Sequence, residues 1–328
     1  MPEGAGSNAT GARPTISPVS ENRGGRTTSP WPPLPIAEWQ ETRDTLHLWT
    51  QIVGKVRLAR TPLLSHWWNV PLTVTARGLS TSMIPTDSES FEIEFDFIDH
   101  RLVVSVDSGT QATMLLTARS VADFYAELMA VLEDLGVATP IWAMPVEIKG
   151  AIAFDEDHDH ASYDSDSVER FWQALIHMTR VFEQFQAGFL GKASPVQFYW
   201  GGFDLAIAQF SGRPAPPYVG EAANLGPEVM LEAYSHEVNS AGYWNGPDGE
   251  GNFYAFLYPE PDGYRQRPVA PSQARFDDDF GEFLLPYEAV RTADDPDSAL
   301  LEFLQTTYEA GAETAGWNRE ELERSGHD

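Results

Sequence analysis

The chain has 328 residues, of which 42% are hydrophobic and 12% are aromatic, which is enough for a well-packed core. Its formal net charge of −28 argues against nucleic acid or anionic lipid as a partner, because the phosphates of both would repel it. The absence of cysteine excludes disulfides, thiolate nucleophiles and cysteine-ligated metal centres.

Residues 1–30 are rich in Gly, Ser, Thr, Pro and Ala, and this composition predicts a disordered tail. They lack the basic stretch followed by an apolar stretch that marks a signal peptide. No apolar run in the chain reaches membrane-spanning length. We therefore expect a cytoplasmic protein with no membrane partner.

In the first part of the folded region, the spacing of apolar residues predicts a helix that ends near Gly54-Lys55. Alternation of apolar and polar residues is clearest in the strand predicted at 91–97. A capping box at Ser120 and Asp123 starts a helix at 121–135, which Gly136 ends. The stripe of the first helix is Trp39, Leu46, Trp49, Val53 and Val56, and further strands are predicted at 71–75, 102–106, 114–117 and 141–148.

The clearest helix follows an acidic loop, with Asp166 as its predicted N-cap and an end at Gly191-Lys192. A strand apolar on both faces is predicted to begin at once and run over 192–207, with Gly201-Gly202 marking a bulge or a close backbone approach. A final helix is predicted to start at Asp295-Pro296. The apolar stripe of the middle helix is Phe171, Leu175, Met178, Phe182, Phe185 and Phe189, and later strands are predicted at 233–238, 253–258 and 283–287.

The two halves of the chain share an order of elements, which suggests an internal duplication. Each half has an aromatic-striped helix with Gly-Lys, then a strand whose proline precedes a glycine by seven residues (Pro71 and Gly78, Pro195 and Gly202). We predict an α+β fold of two αβ…βα units with antiparallel sheets, four long helices and a pseudo-two-fold axis. The predicted parts are a first repeat (31–136), a connector with the acidic loop (137–165), a second repeat (166–318) and a C-terminal tail (319–328), with 31–318 as one compact unit.

Three segments and the strand at 192–207 resemble a bacterial family catalogued only as a domain of unknown function. The segments are His47-Leu48-Trp49-Thr50-Gln51-Ile52-Val53-Gly54-Lys55, Phe95-Asp96-Phe97-Ile98-Asp99-His100 and Ser235-His236-Glu237-Val238. The resemblance covers roughly residues 31–320. It implies no activity, cofactor or catalytic residue.

His236 is the first candidate for catalysis, as a general base whose pKa is set by burial and a neighbouring acid. Glu237 and Asp204 are the candidate acids, and a buried Asp204 would need a partner or a proton. Each residue also has a structural interpretation, His236 as a neutral core histidine and Asp204 as half of an ion pair or a backbone cap. The sequence leaves these alternatives open.

Two of the three lysines, Lys55 and Lys192, take corresponding places in the two halves. They are candidates for binding a carboxylate or phosphate, although a cation at a helix C-terminus needs no ligand. His47 and Gln51 lie at steps of four before Lys55 and would form one polar strip with it. Tyr199 and Trp200 are candidates for contact with a ring-bearing ligand, or for plain core.

The acidic loop contains His158 and His160 among four acids, a ligand set that zinc or manganese accepts. No HExxH, calcium-loop or 2-His-1-carboxylate spacing accompanies them, and a solvated acidic turn before a helix is the simpler interpretation. No phosphate-binding or nucleophile-elbow motif precedes a helix, and no cofactor is indicated.

The best functional hypothesis is a cytoplasmic enzyme acting on a small organic metabolite in an aromatic-lined cleft between the repeats, by histidine–carboxylate acid–base chemistry. One alternative is a non-catalytic module that binds a small molecule or a protein. Another is a metal-dependent hydrolase or oxygenase. The sequence does not indicate the oligomeric state.

Overall fold

The computed structural model describes residues 31–87, 89–220, 222–246 and 249–324, so the predicted disordered tail lies outside the described residues. The helices are α1 (Ile36–Arg60), α2 (Val121–Asp134), α3 (Ser165–Gln186), α4 (Pro227–Ala233), α5 (Tyr287–Arg291), α6 (Pro296–Thr314) and α7 (Arg319–Leu322). The strands are β1 (Thr73–Val74), β2 (Gly78–Ser80), β3 (Phe91–Asp96), β4 (Arg101–Val106), β5 (Gln111–Leu115), β6 (Gln197–Tyr199), β7 (Asp204–Pro214), β8 (His236–Trp244), β9 (Asn252–Tyr258), β10 (Arg275–Asp277) and β11 (Glu282–Pro286).

These strands form two antiparallel sheets. The first has the order β1-β2-β3-β4-β5, and the second has the order β10-β11-β9-β8-β7-β6. Leu72 and Phe198 exchange two backbone hydrogen bonds of 2.9 and 2.8 Å. The two sheets therefore meet edge to edge where β1 and β6 lie side by side.

The four long helices cover these sheets. α1 packs between α2 and α3, and α3 in turn contacts α6. The core between the layers is aromatic: Trp49 stacks on Phe124 with ring centroids 4.6 Å apart, and Phe171 stacks on Phe203 at 5.2 Å. The predicted α+β class with antiparallel sheets and four long helices is confirmed.

The apolar stripes predicted for α1 and α3 are buried throughout. Ser120 accepts a hydrogen bond from the backbone N–H of Asp123 at the start of α2. Asp295 accepts one from Ser298 at the start of α6. These helices were predictable because their caps and buried faces are local features of the sequence.

Three predicted helix boundaries are wrong. α3 ends at Gln186 and not at Gly191-Lys192. Gly54 and Lys55 lie inside α1, which continues to Arg60, because packing of α1 on both sides outweighs the local cost of a glycine. The N-cap of α3 is Asp164, whose carboxylate accepts a hydrogen bond from the N–H of Ser167, and not Asp166.

The predicted strand at 192–207 is a hairpin instead. β6 and β7 pair antiparallel, with a turn at Trp200–Phe203 between them. The turn residues are as apolar as a strand because two of them pack in the core, so composition alone could not identify it. Residues 141–148 form no strand, and the strand predicted at 233–238 begins only at His236, since Ala233 ends α4. β2, α4, α5, α7 and β10 were not predicted.

Each half of the chain follows the order helix, antiparallel sheet, helix. The pairing of the two Gly-Lys positions does not hold, because Gly54 is helical and Gly191 lies in the loop after α3. The duplication itself stays a prediction. Part of the expected C-terminal tail is ordered: it forms α7 and a bridge between Glu323 and Phe189.

Candidate functional site

A cavity of about 540 Å³ lies on the second sheet, on the face turned away from α3 and α6. The alternation of β9 places Tyr254 and Phe256 in its wall. Phe253 and Leu257 point the other way, toward Phe182 of α3 and Gly311 of α6. The remaining walls come from α4, from residues 66–70 and from the connector residues Val146 and Glu147.

The backbone is strained around this cavity. Three residues of its wall have positive φ although none is glycine: His66 (56°), Trp67 (62°) and Glu147 (62°). The N–H of His66 donates to the carboxylate of Glu232 at 3.2 Å, and the N–H of Glu147 donates to the carbonyl of Ala223 at 2.7 Å. Strain held in this way by surrounding structure is concentrated at functional sites in proteins.

The polar strip of α1 holds the back of the cavity wall. Nε2 of His47 lies 2.9 Å from the carbonyl oxygen of Gly201. The amide of Gln51 bonds both backbone groups of Val146, donating to its C=O and accepting from its N–H, each at 2.9 Å. Burial lowers the pKa of His47 to about 4, so its ring is neutral at pH 7. His47 and Gln51 thus position the wall and do not line the cavity.

Two carboxylates meet where the glycine pair leaves room for them. A Cβ placed on Gly201 would lie 2.0 Å from Oε1 of Glu147. A Cβ on Gly202 would lie 3.0 Å from Oδ1 of Asp204 and 3.7 Å from Oε2 of Glu147. The hydroxyl of Tyr254 donates a 2.6 Å hydrogen bond to Oδ2 of Asp204. Glu147 is exposed as a residue, but its carboxylate end turns inward against Gly201.

The electrostatics of the cavity raise the pKa of each carboxyl group in its wall. Burial raises the pKa of Asp204 to about 6, against the opposing effect of the Tyr254 hydrogen bond. Burial, and then the charge of Asp204, raise the pKa of Glu147 to about 7. The same two causes raise the pKa of Glu282, on β11, to about 7. A carboxyl group with such a pKa can both accept and release a proton near neutral pH.

Comparison with known families identifies the chain but not its chemistry. The sequence model of a family of unknown function, DUF5996, matches residues 31–324. The chain belongs to this family. No curated protein and no solved structure matches this DUF5996 protein. The resemblance expected from the sequence is confirmed.

Of the residues predicted for the site of this DUF5996 protein, Asp204, Tyr199 and Trp200 line the cavity. Nε1 of Trp200 donates to the carbonyl of Val70 at 2.8 Å, which fixes the hairpin turn against the first half of the chain.

His236 does not line the cavity. Its Nδ1 lies 3.0 Å from the hydroxyl oxygen of Ser235, and its ring centroid is 6.0 Å from that of His66. The ring of His66 occupies the wall instead, against Phe210 at 4.3 Å. Burial, and then the charge of Lys192, lower the pKa of His66.

Glu237 lies on the opposite face of the sheet, as expected for a neighbour of His236 on a strand. Oε2 of Glu237 accepts hydrogen bonds from Ser211, from Arg213 and, at 3.0 Å, from the indole of Trp317. Its contacts tie β8 to the end of α6, on the face of the sheet away from the cavity.

The two lysines do not meet at the cavity. Lys55 is buried in α1, and its Nζ lies 4.8 Å from the ring centroid of Trp142. Burial lowers the pKa of Lys55 to about 8. Lys192 is exposed, and its Nζ lies 5.2 Å from the ring centroid of Trp68.

The acidic loop caps a helix. Nδ1 of His160 lies 2.8 Å from a carboxylate oxygen of Asp157, and the carbonyls of these two residues accept hydrogen bonds from the first N–H groups of α2. His158 is exposed. Within the described ranges, no three His, Cys, Asp or Glu side chains are grouped so that they could hold a metal ion.

Sequence reasoning missed Glu147, Glu282, Tyr234 and Tyr254. Tyr254 alternates with apolar residues in a correctly predicted strand, so the sequence could have shown on which face of the sheet it lies. Glu147 and Glu282 lie 135 positions apart in the numbering, and only the fold brings them to one cavity.

None of the helices in the described parts of the chain combines the length and the apolar character that a membrane span requires.

Proposed function

We propose that this DUF5996 protein is a cytoplasmic enzyme that binds a small organic metabolite in the cavity and transfers a proton through Glu147 and Asp204. The observation that supports this proposal is the pair of carboxylates that both lie within 4 Å of a Cβ placed on Gly202, with pKa values of about 7 for Glu147 and about 6 for Asp204. Carboxyl groups with perturbed pKa values in a concave, apolar site are candidates for acid–base catalysis.

The two carboxylates have different environments and therefore different roles in the proposal. Asp204, with the lower pKa, is hydrogen-bonded to Tyr254 and stays ionised at neutral pH. Burial and then the negative charge of Asp204 raise the pKa of Glu147, which exchanges a proton with the substrate. The aromatic walls hold the body of the substrate and exclude water.

This mechanism differs from the histidine–carboxylate pair expected from the sequence. His236 lies outside the cavity wall and Glu237 on the far face of the sheet, so we assign the acid–base role to Glu147 and keep Asp204 as its partner. We do not carry the metal-dependent alternative forward, since no suitable ligand group forms within the described ranges.

The experiment is a metabolite-library screen by thermal shift, followed by mass spectrometry of each mixture after incubation. Three variants accompany the wild type: Glu147→Gln, Ala208→Phe, which fills the cavity from β7, and Glu302→Gln, which changes an exposed acid on α6. We expect a ligand that the wild type and Glu302→Gln convert, that Glu147→Gln binds without conversion, and that Ala208→Phe does not bind. Equal conversion by wild type and Glu147→Gln would overturn the assigned role.

A second candidate is a non-catalytic small-molecule-binding module. His236, Lys55 and Lys192 do not line the cavity, and a hydrogen bond from Tyr254 satisfies Asp204; both observations favour this candidate. Under this proposal the wild type binds a ligand but returns it unchanged, and Ala208→Phe abolishes the thermal shift.

A further inference from the structure

We infer that the ligand of this cavity is a protonated organic amine with an apolar or ring-bearing body. The inference rests on the proposed function only in taking the cavity as the ligand site. It adds the charge and the chemical class of what binds there.

Within the part of the chain that the structure describes, the carboxylates of the cavity wall have no cationic side chain beside them in that wall; the ammonium of Lys192 lies outside the lining, over the rings of Trp68 and Phe210. Asp204, Glu147 and Glu282 all face the cavity, and none of the described residues in its wall is lysine or arginine. No ion pair within the described ranges involves any of these three carboxylates. Burying carboxylates without a counter-charge is costly, and a cationic ligand would supply that charge.

The placement of the three acids favours a single cationic group near Asp204. Asp204 begins β7, and burial and then the charge of Asp204 raise the pKa of Glu147 on the connector and of Glu282 on β11. A positive charge beside Asp204 would therefore offset the repulsion felt by both neighbours. The acids are not grouped closely enough to enclose a metal ion, so a larger organic cation fits them better.

The aromatic residues of the wall suit the same ligand. Tyr254 stacks against Phe256 with ring centroids 6.2 Å apart, and the ring centroid of Tyr234 also lies 6.2 Å from that of Phe256. Trp244 and Phe280 make an edge contact at 6.0 Å. The faces of such rings attract ammonium groups and bury apolar chains, and the cavity volume is that of a typical small-molecule site.

The sign of the pH dependence follows from the neighbours of Asp204. An amine stays protonated from pH 6 to pH 8, whereas the acids become more fully ionised over this range, so binding of the amine should tighten as the pH rises. The titratable groups that face Asp204 are Glu147 from the connector, Tyr199 from β6, Tyr234 beside α4, Tyr254 from β9 and Glu282 from β11.

The test is calorimetric titration with three probes of matched size: 2-phenylethylamine, 2-phenylethanol and 3-phenylpropionate. Benzyltrimethylammonium and 1,4-diaminobutane extend the cationic set. We expect the amine to bind about tenfold or more tightly than the alcohol, a difference of one charge-assisted contact. We expect no binding of the carboxylate, and tighter amine binding at pH 8 than at pH 6.

The variants distinguish the effect of the carboxylate charge on binding from the effect of the cavity shape. Asp204→Asn should weaken amine binding about tenfold or more and leave alcohol binding unchanged, because the shape of the cavity is kept. Glu302→Gln should change neither amine binding nor alcohol binding, and Ala208→Phe should abolish the binding of both probes. Binding of the alcohol or the carboxylate as tight as that of every cation would overturn the inference and leave the cavity as a ligand site. Failure of every probe to bind the folded protein would count against both the inference and the proposed function.

Discussion

Gly54 of α1 lies directly against the indole of Trp200, with no room between them for a side chain. A Cβ on Gly54 would lie 2.2 Å from Nε1 of Trp200, and the same nitrogen donates to the carbonyl of Val70. A glycine in the middle of a long helix thus allows the turn between β6 and β7 to approach the first half of the chain.

Gly54→Ala should therefore destabilise the protein, although alanine is the better helix former. The helix propensity gain is about 1 kcal/mol, and overpacking against a ring held by a hydrogen bond costs about 1–3 kcal/mol, for a net loss of up to about 2 kcal/mol. Urea denaturation measures this loss. The loss of stability in the double variant Gly54→Ala/Trp200→Leu should be smaller than the sum of the losses in the two single variants. Strict additivity would contradict the contact.

Gln51→Leu should destabilise the fold by about 2–4 kcal/mol, because it leaves the buried N–H and C=O groups of Val146 without partners. Urea denaturation of the variant against wild type measures the change. The matched control is Gln305→Leu on the exposed face of α6, which should change stability by less than about 0.5 kcal/mol. Equal effects of the two substitutions would show that the amide of Gln51 does not support the wall.

Asp204→Asn should make stability less dependent on pH. The raised pKa of Asp204 means that the folded protein binds more protons than the unfolded chain between about pH 4 and pH 6, so its contribution to stability falls as the pH rises through this window. Between pH 5 and pH 8 the free energy of unfolding should fall by about 1 kcal/mol more in wild type than in Asp204→Asn, after allowance for partial solvent exposure. Parallel curves from melting experiments across this range would show that Asp204 is not desolvated.

Glu237→Ala should lower stability by about 1–3 kcal/mol without changing the affinity of the cavity for a ligand. The substitution removes the shared acceptor of Ser211, Arg213 and Trp317 on the far face of the sheet. Thermal melting and calorimetric titration below the melting temperature measure the two quantities separately. A loss of affinity with stability intact would return Glu237 to the candidate catalytic residues.

The fold was largely predictable from the sequence because each long helix buries one face. The stripe of α3 identified its core side, and the alternation of β3 its two faces, from residues close together in the chain. The β6–β7 hairpin was missed although Gly201-Gly202 is a pair typical of turns, because the apolar residues on both sides of it favoured one continuous strand. The residue that adopts a positive φ, of 58°, is Phe203, whose residue type does not indicate it.

The site was accessible only in part. An acid among apolar neighbours singled out Asp204, and the period of the strand placed His236 on the same side as Val238, which does line the cavity. The sequence could not show that His66 would occupy the wall beside His236, or that Glu147 would reach Gly201 from the connector. Those relations depend on tertiary contacts between distant segments.

His47 and Gln51 belong to the first half of the chain, yet the backbone groups that they hold, at Gly201 and Val146, form the wall of a cavity built mainly on the second sheet. A molecule seated in that cavity would therefore resist the opening of both halves at once. Occupancy should slow amide hydrogen exchange in α1 as well as in β7, coupling the two halves into one cooperative unit.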